Sequence, residues 1–298
     1  MGIARSVMIG PLMLPLAAGA VLLLAVLTAL LLFAVLSRPH PVWPRAWLVG
    51  GGLVLPMLVL GVLVAHAAIM REPSIQTPQT APLRIEVNAR QWWWEVRYTG
   101  PDGKPFASAN ELHVPVGAPV LLKLTSGDVI HAFRVPGLTA HVDMVPGRVK
   151  RLLLTANRAA VFRGQCMEYC GTQHARMALH VVAEEADVFS AWLFRQSAPA
   201  APPANAFLRQ GRDVFLRAGC GGCHTVRGTE AQGEIGPDLT HVGSRRTLAA
   251  GTLVNRRGSL TTWIAHSQRI KPGSLMPSAS QLAEPELRAL SAYLESLQ

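Results

Sequence analysis

Near the middle of the chain, twelve residues gather an unusual set of donors: Cys166-Met-Glu-Tyr-Cys170-Gly-Thr-Gln-His174-Ala-Arg-Met177. Soft sulfur ligands select copper in its reduced state, and imidazole accepts either oxidation state. A mononuclear blue-copper site needs one cysteine, two histidines and a weak methionine. A second cysteine four residues on lets two thiolates bridge two copper ions. One electron shared over two metals changes each of them little, so little reorganisation accompanies each transfer, which suits a relay rather than a catalyst. A second imidazole must come from elsewhere, and His131, in Asp128-Val-Ile-His131-Ala-Phe-Arg-Val-Pro136, is the best candidate. The expected set is two bridging thiolates (Cys166, Cys170), two terminal imidazoles (His131, His174), a weak thioether (Met177) and the backbone carbonyl of Glu168. Zinc would not need Met177, and a disulfide loop would need neither histidine.

A second cluster is Cys220-Gly-Gly-Cys223-His224. The C-x-x-C-H motif attaches c-type haem: both thiols add to vinyl groups and the histidine ligates iron. A thioredoxin-like redox pair explains neither His224 nor the absence of a βαβ pattern. Met276, in Lys271-Pro-Gly-Ser-Leu-Met276-Pro277, is the expected sixth ligand, and a thioether opposite histidine raises the haem potential. His241 and His266 are the alternatives. All four cysteines are thereby assigned to cofactors.

These sites need elements to hold them. Residues 6–37 carry no charge, and the run Val7–Leu36 exceeds the ~20 residues that span a hydrocarbon core. It also exceeds the apolar region of a signal peptide, although a cleaved signal remains the rival reading. A second apolar run extends from Ala46 to about Met70, after a polar loop, Ser37–Arg45. A helical hairpin over residues 1–71 is expected. Two basic loop residues (Arg38, Arg45) against one at the N-terminus (Arg5) place the loop inside and everything after Arg71 outside. His66 near the end of the second span reads as an interface or helix-contact histidine rather than a functional one.

After a polar stretch, Glu72–Pro82, short segments rich in β-branched and aromatic residues follow: Leu83–Val87, Trp92–Tyr98, Glu111–Val114, Val120–Leu124, Val129–Val135, Arg148–Leu154 and Leu179–Ala183. Their turn-rich punctuation predicts an antiparallel β-sandwich or barrel, closed by a helix over Ala186–Gln196. In an extended strand, Trp93 would face away from Trp92 and Trp94. Residues 197–204 form a stiff Pro/Ala linker. Amphipathic helices are expected at about Asn205–Ala218 and at Glu284–Ser296.

The net charge of +10 is spread evenly: residues 71–198 carry 14 basic and 11 acidic residues, and residues 199–298 carry 11 and 7. No dense basic run exists, so nucleic acid is excluded as a partner, whereas anionic lipid or an electron-transfer surface fits.

Four stretches in order resemble cytochrome c oxidase subunit II: Gln91-Trp92-Trp93-Trp94, Asp128-Val-Ile-His131, Asp143-Met-Val-Pro-Gly147-Arg148, and the Cys166–Met177 run. The resemblance covers the hairpin and the middle domain. Residues 205–297 resemble small bacterial class I cytochromes c, including the Gly236-Pro-Asp-Leu239 loop. The implied fold is multidomain: a two-helix transmembrane hairpin (1–71), an all-β cupredoxin-like dinuclear copper A domain (83–196), and an all-α class I cytochrome c domain (205–298).

The resemblance implies that Trp92 is where electrons enter from cytochrome c. It also implies that Glu168 helps hold magnesium at the subunit I interface. Asp143 and Arg148 match family positions near that interface, with structural roles expected first. One departure stands out: the family's glutamate at the start of the second helix is missing, because no acid precedes Glu72. A fused haem domain is a bacterial arrangement, and haem attachment and copper loading occur outside the cytoplasm. The implied protein sits in the bacterial inner membrane with both cofactor domains on the periplasmic side. It would be a subunit of a proton-translocating cytochrome c oxidase, with the oxygen-reducing site on another subunit. The implied path runs from an external donor (cytochrome c or a quinol–cytochrome c oxidoreductase) through haem c and copper A to the haem–copper centre of subunit I, where dioxygen becomes water. Subunit III is a further expected partner. The rivals are a nitric oxide reductase subunit and a stand-alone membrane-tethered carrier.

Overall fold

The structure, a computed structural model, describes residues 10–36, 45, 47–69, 83–256 and 258–298. The expected loop at 37–44 and the polar linker at 70–82 lie outside the described residues. Two N-terminal helices match the two apolar runs. Helix α1 spans Gly10–Leu36. A π-helical segment, Trp47–Val54, leads into α2, Leu55–Ile69, with His66 in its last turn. Helix α1, and the π-helical segment together with α2, are long and apolar enough to cross a membrane.

The middle domain is a sandwich of two five-stranded sheets. One has the order β3-β2-β1-β5-β8, built from β1 (Leu83–Arg90), β2 (Trp93–Thr99), β3 (Pro105–Ala109), β5 (Val120–Ser126) and β8 (Lys150–Leu154). The other has the order β4-β10-β9-β6-β7, built from β4 (Glu111–Pro115), β6 (His131–Arg134), β7 (Val142–Met144), β9 (Ala160–Cys166) and β10 (Ala178–Glu184). The pairing is antiparallel except for β1 with β5 and β4 with β10, which run parallel. Those pairs join sequence-distant strands, which a local apolar pattern does not reveal. Alternate residues such as Ile85, Val87 and Ala89 point inward, where Trp94, Phe133 and Leu179 fill the core. Helix α3 (Ala186–Ser197) covers one end through Phe189 and Trp192. Trp192 stacks on His113, with centroids 4.0 Å apart.

Strands β3, β7 and β9 were not expected. β9 alternates well but is half-exposed and carries Arg163, Gly164 and Gln165, so its apolar signal is weak. Trp92 does not lie on a strand: β2 begins at Trp93, and Trp92 occupies the turn before it. Trp94 is the core residue of the three.

The C-terminal domain has three helices: α4 (Ala206–Arg217), α5 (Ser259–Ile270) and α6 (Glu284–Ser296). Asn205 caps α4 by accepting from the Leu208 N–H. Gly211 lets α4 and α6 cross closely, since a Cβ there would lie 2.0 Å from the Ala289 carbonyl oxygen. Helix α5 was not expected, because its Ser/Thr-rich first turn and a kink at His266 blur the helical period. The Pro/Ala linker is fastened rather than free: Arg227 donates to the carbonyls of Gln196 and Ser197.

Candidate metal centre and haem site

Strand β9 delivers Cys166, and the following loop returns Cys170, His174 and Met177 to it before β10 begins. Strand β6 pairs with β9, placing Phe133 opposite Cys166 and bringing His131 alongside. The two Sγ atoms lie 3.7 Å apart, unbonded. His131 Nδ1 is 3.8 Å from Cys166 Sγ, and His174 Nδ1 is 3.7 Å from Cys170 Sγ. Met177 Sδ lies 3.8 Å from Cys170 Sγ, and the Glu168 carbonyl oxygen 3.2 Å from Cys166 Sγ. Donor atoms about 2.3 Å from one ion, at a tetrahedral angle, stand roughly 3.8 Å apart. The spacings therefore suit a shared coordination shell. The ligand atoms of His131, Cys166 and Cys170 all fall within 4.8 Å of one another.

Electrostatics prepares these donors. The hydrogen bond with Cys170 holds the Cys166 thiol well below its ordinary value, with burial opposing and His131 assisting. The same bond, with burial, pushes the Cys170 thiol up. Burial lowers the pKa of His131, but Cys166 and Asp128 outweigh it and the net shift is upward. The Nε2–H of His131 donates to Asp128 Oδ1 at 2.8 Å, leaving Nδ1 turned toward the sulfurs. Such an outer carboxylate fixes the tautomer and aim of a metal-binding histidine. Asp128 Oδ2 also accepts from the Gln91 N–H, tying the tryptophan turn to the same anchor.

In the C-terminal domain a 3₁₀ turn, Cys220–Gly222, sets both thiols and the imidazole on one loop. His224 Nδ1–H donates to the Pro237 carbonyl at 2.8 Å, leaving Nε2 free for iron. Burial lowers the His224 pKa and keeps the ring neutral, as ligation requires. Gly236 lies under the ring: a Cβ there would come within 2.5 Å of His224 Cε1. Met276 packs against the domain core, its carbonyl accepting from Ser267 Oγ and Gln268 Nε2. The rival ligands are differently placed. Both ring nitrogens of His241 meet carbonyls, those of Gln298 and Ala198, and His266 is exposed at the kink.

The two domains meet at Trp92. Its Nε1–H donates to the Cys170 carbonyl at 2.8 Å. A cleft of about 520 Å³ lies beside it, with Trp92 and Trp93 on one side and Ile235 and Leu275 on the other.

The profile described as "Cytochrome C oxidase subunit II, periplasmic domain" matches residues 102–184, and "Cytochrome c" matches residues 208–298. Cytochrome c oxidase subunit 2 of Alkalihalophilus pseudofirmus is 38% identical over 72% of this chain and 60% of its own length. The same subunit from Branchiostoma floridae is 30% identical over 47% of this chain and 68% of its own length. The chain belongs to the cytochrome c oxidase subunit 2 family. It spans about 60% of the length of the Alkalihalophilus relative. The periplasmic domain of subunit II of cytochrome oxidase from Bradyrhizobium japonicum is 32% identical, covering 40% of this chain and 95% of that one, with a TM-score of 0.37.

Within this subunit 2 chain, the six candidate ligand positions, His131 on β6 and five on the Cys166–Met177 loop, lie close together. Glu168 turns its carbonyl inward and its side chain to solvent. Asp143 and Arg148 are both exposed, and Asp143 accepts from His141. Asp128 and Lys271 both lie inside the motifs that carry candidate ligands, without a ligand role of their own. An acid three residues before a candidate ligand histidine is the available signal for Asp128. Lys271 offered none, because its partners are backbone carbonyls.

Proposed function

We propose that this chain is the electron-input subunit of a membrane-bound cytochrome c oxidase. It accepts electrons from an external donor at its C-terminal domain and delivers them through its sandwich to a catalytic partner subunit that reduces dioxygen to water. The observation that carries this reading is that His131 and His174 present Nδ1 to different cysteine sulfurs, as a two-metal, two-thiolate centre requires.

Cys166, Cys170, His131 and His174 would hold two copper ions, with Met177 and the Glu168 carbonyl as weaker ligands. Cys220, Cys223, His224 and Met276 would hold one haem c. When bound, these groups supply reversible one-electron storage. The chain's own residues do the rest. Asp128 and the Pro237 carbonyl fix the tautomers of His131 and His224. Buried Met177, Phe133 and Trp94 exclude water around the sulfurs, which keeps reorganisation small. The exposed Glu168 carboxylate suits a magnesium ion shared with subunit I. Subunit III is the other expected membrane partner. Two apolar helices and extracytoplasmic cofactor chemistry favour the bacterial inner membrane, with both soluble domains on the periplasmic side.

The names of the relatives favour oxygen over nitric oxide as acceptor. Oxygen uptake by the purified complex, driven by a reduced c-type cytochrome, tests this. Uptake that is lost in His131→Ala supports the reading. A native chain that purifies with no haem-bearing partner would instead mark a stand-alone carrier.

A further inference from the structure

Lys271 is a buried lysine of the C-terminal domain that faces carbonyl oxygens of both domains. Its Nζ donates to Trp92 O at 2.6 Å and Arg176 O at 2.8 Å, both in the sandwich, and to Ala249 O of its own domain at 3.3 Å. The loop it begins is tightly built. Ser274 N–H donates to Lys271 O, with Pro272 and Gly273 between them and Gly273 at φ +79°, the pattern of a type II turn. A Cβ on Gly273 would meet the Trp92 ring at 3.8 Å. The turn thus lays Pro272–Leu275 beside the indole, directly before Met276.

Neighbouring contacts repeat the arrangement. Gln173 Nε2 donates to Pro272 O at 2.8 Å, and Arg176 donates to Ile270 O. Ala178 N–H donates to Ala250 O at 3.0 Å. Ala249 and Ala250 both adopt left-handed backbone, at φ 52° and 56°. Non-glycine residues hold that conformation only where surroundings over-determine it, and here both carbonyls are engaged across or at the interface. The copper loop and the Met276 loop therefore form one hydrogen-bonded seam with Lys271 at its centre.

We propose that Lys271 is a positioning residue that fastens the Met276 loop onto Trp92, reserving the Trp92 face for the chain's own C-terminal domain and closing it to any separate donor protein. This rests on the electron-input reading above. An outside donor must then hand its electron to the C-terminal domain, not to the sandwich. Removing the amine takes from the Trp92 and Arg176 carbonyls the donor that joins them to the C-terminal domain, which favours parting of the seam.

The test uses the full chain, loaded and in detergent, as wild type, Lys271→Met and Lys271→Gln. In Lys271→Met the spectra and potentials of both centres should be unchanged, while electron transfer from the C-terminal domain to the sandwich slows at least 10-fold. Hydrogen exchange over 171–178 should speed up at least 10-fold, a readout that needs neither cofactor. Soluble cytochrome c should begin to reduce the sandwich site directly. Lys271→Gln, which keeps two N–H donors, should recover part of each effect. Unchanged exchange and unchanged transfer in Lys271→Met would overturn the proposal, as would direct reduction of the wild-type sandwich by soluble cytochrome c. A chain that bound neither copper nor haem would defeat the functional reading, while the exchange result would still judge the seam.

Discussion

Trp92 and Cys170 are joined by a hydrogen bond from the indole Nε1–H to the cysteine carbonyl, 2.8 Å long. Gln91 Nε2 donates to the same carbonyl at 2.7 Å. The aromatic turn is thus fixed to the backbone of a ligand residue, and Lys271 grips the carbonyl of that same tryptophan. A short covalent and hydrogen-bonded route links the C-terminal domain to the cysteine pair.

Cys170→Ser should abolish the copper EPR signal and leave the haem bands in place. Cys170 Sγ is the hub of the cluster, within 3.8 Å of Cys166, His174 and Met177 donors. An unaltered copper spectrum in this variant would contradict the ligand assignment.

Asp128→Asn should weaken copper binding by about 10–100-fold without removing a ligand, because the carboxylate orients His131. Competition with a calibrated chelator measures this. Wild-type affinity in the variant would show that the His131 ring is held by packing alone.

Met276→Ala should leave haem covalently attached through Cys220 and Cys223 but lower its potential, since the thioether favours the reduced state. Redox titration checks it. If the potential does not fall, another group ligates the iron.

Lys271 supplies a pH dependence. Burial pushes its pKa from 10.5 down to about 7. Between those values the unfolded chain binds one more proton than the folded chain, so stability rises with pH across that window. It is lost again as pH falls toward 7. The slope is about 1.4 kcal/mol per pH unit for one group. The neutral amine still has donors for Trp92 O and Arg176 O, the two shorter bonds. Denaturant midpoints of wild type minus Lys271→Met should therefore widen between pH 7 and 10. A difference that stays flat would show that the amine titrates normally.

Much of this was legible in the sequence because it is local. The proposed copper loop spans twelve residues and the proposed haem motif five, so residue type and spacing alone are enough to suggest the chemistry. The apolar runs of α1 and α2 and the strong β1, β5 and β10 patterns were equally plain. Long-range relationships were not. The parallel pairing of β1 with β5 joins segments separated by β2, β3 and β4, the last of which crosses to the other sheet. Trp92 looked like a strand residue because three aromatics in a row mimic a strand, yet only Trp93 and Trp94 are in β2. Lys271 satisfies its N–H groups on carbonyls, which every residue possesses, so no side-chain pattern could have pointed to it.

On the proposed reading, four side chains gather two coppers beside one covalent haem. Metal analysis of the purified full-length protein, combined with EPR of the oxidised form, tests it most directly. Copper and iron in a ratio of 2 to 1 are expected, with one unpaired electron shared equally by two copper nuclei. Zinc in the sandwich, or a single copper with the spectrum of an isolated ion, would contradict it.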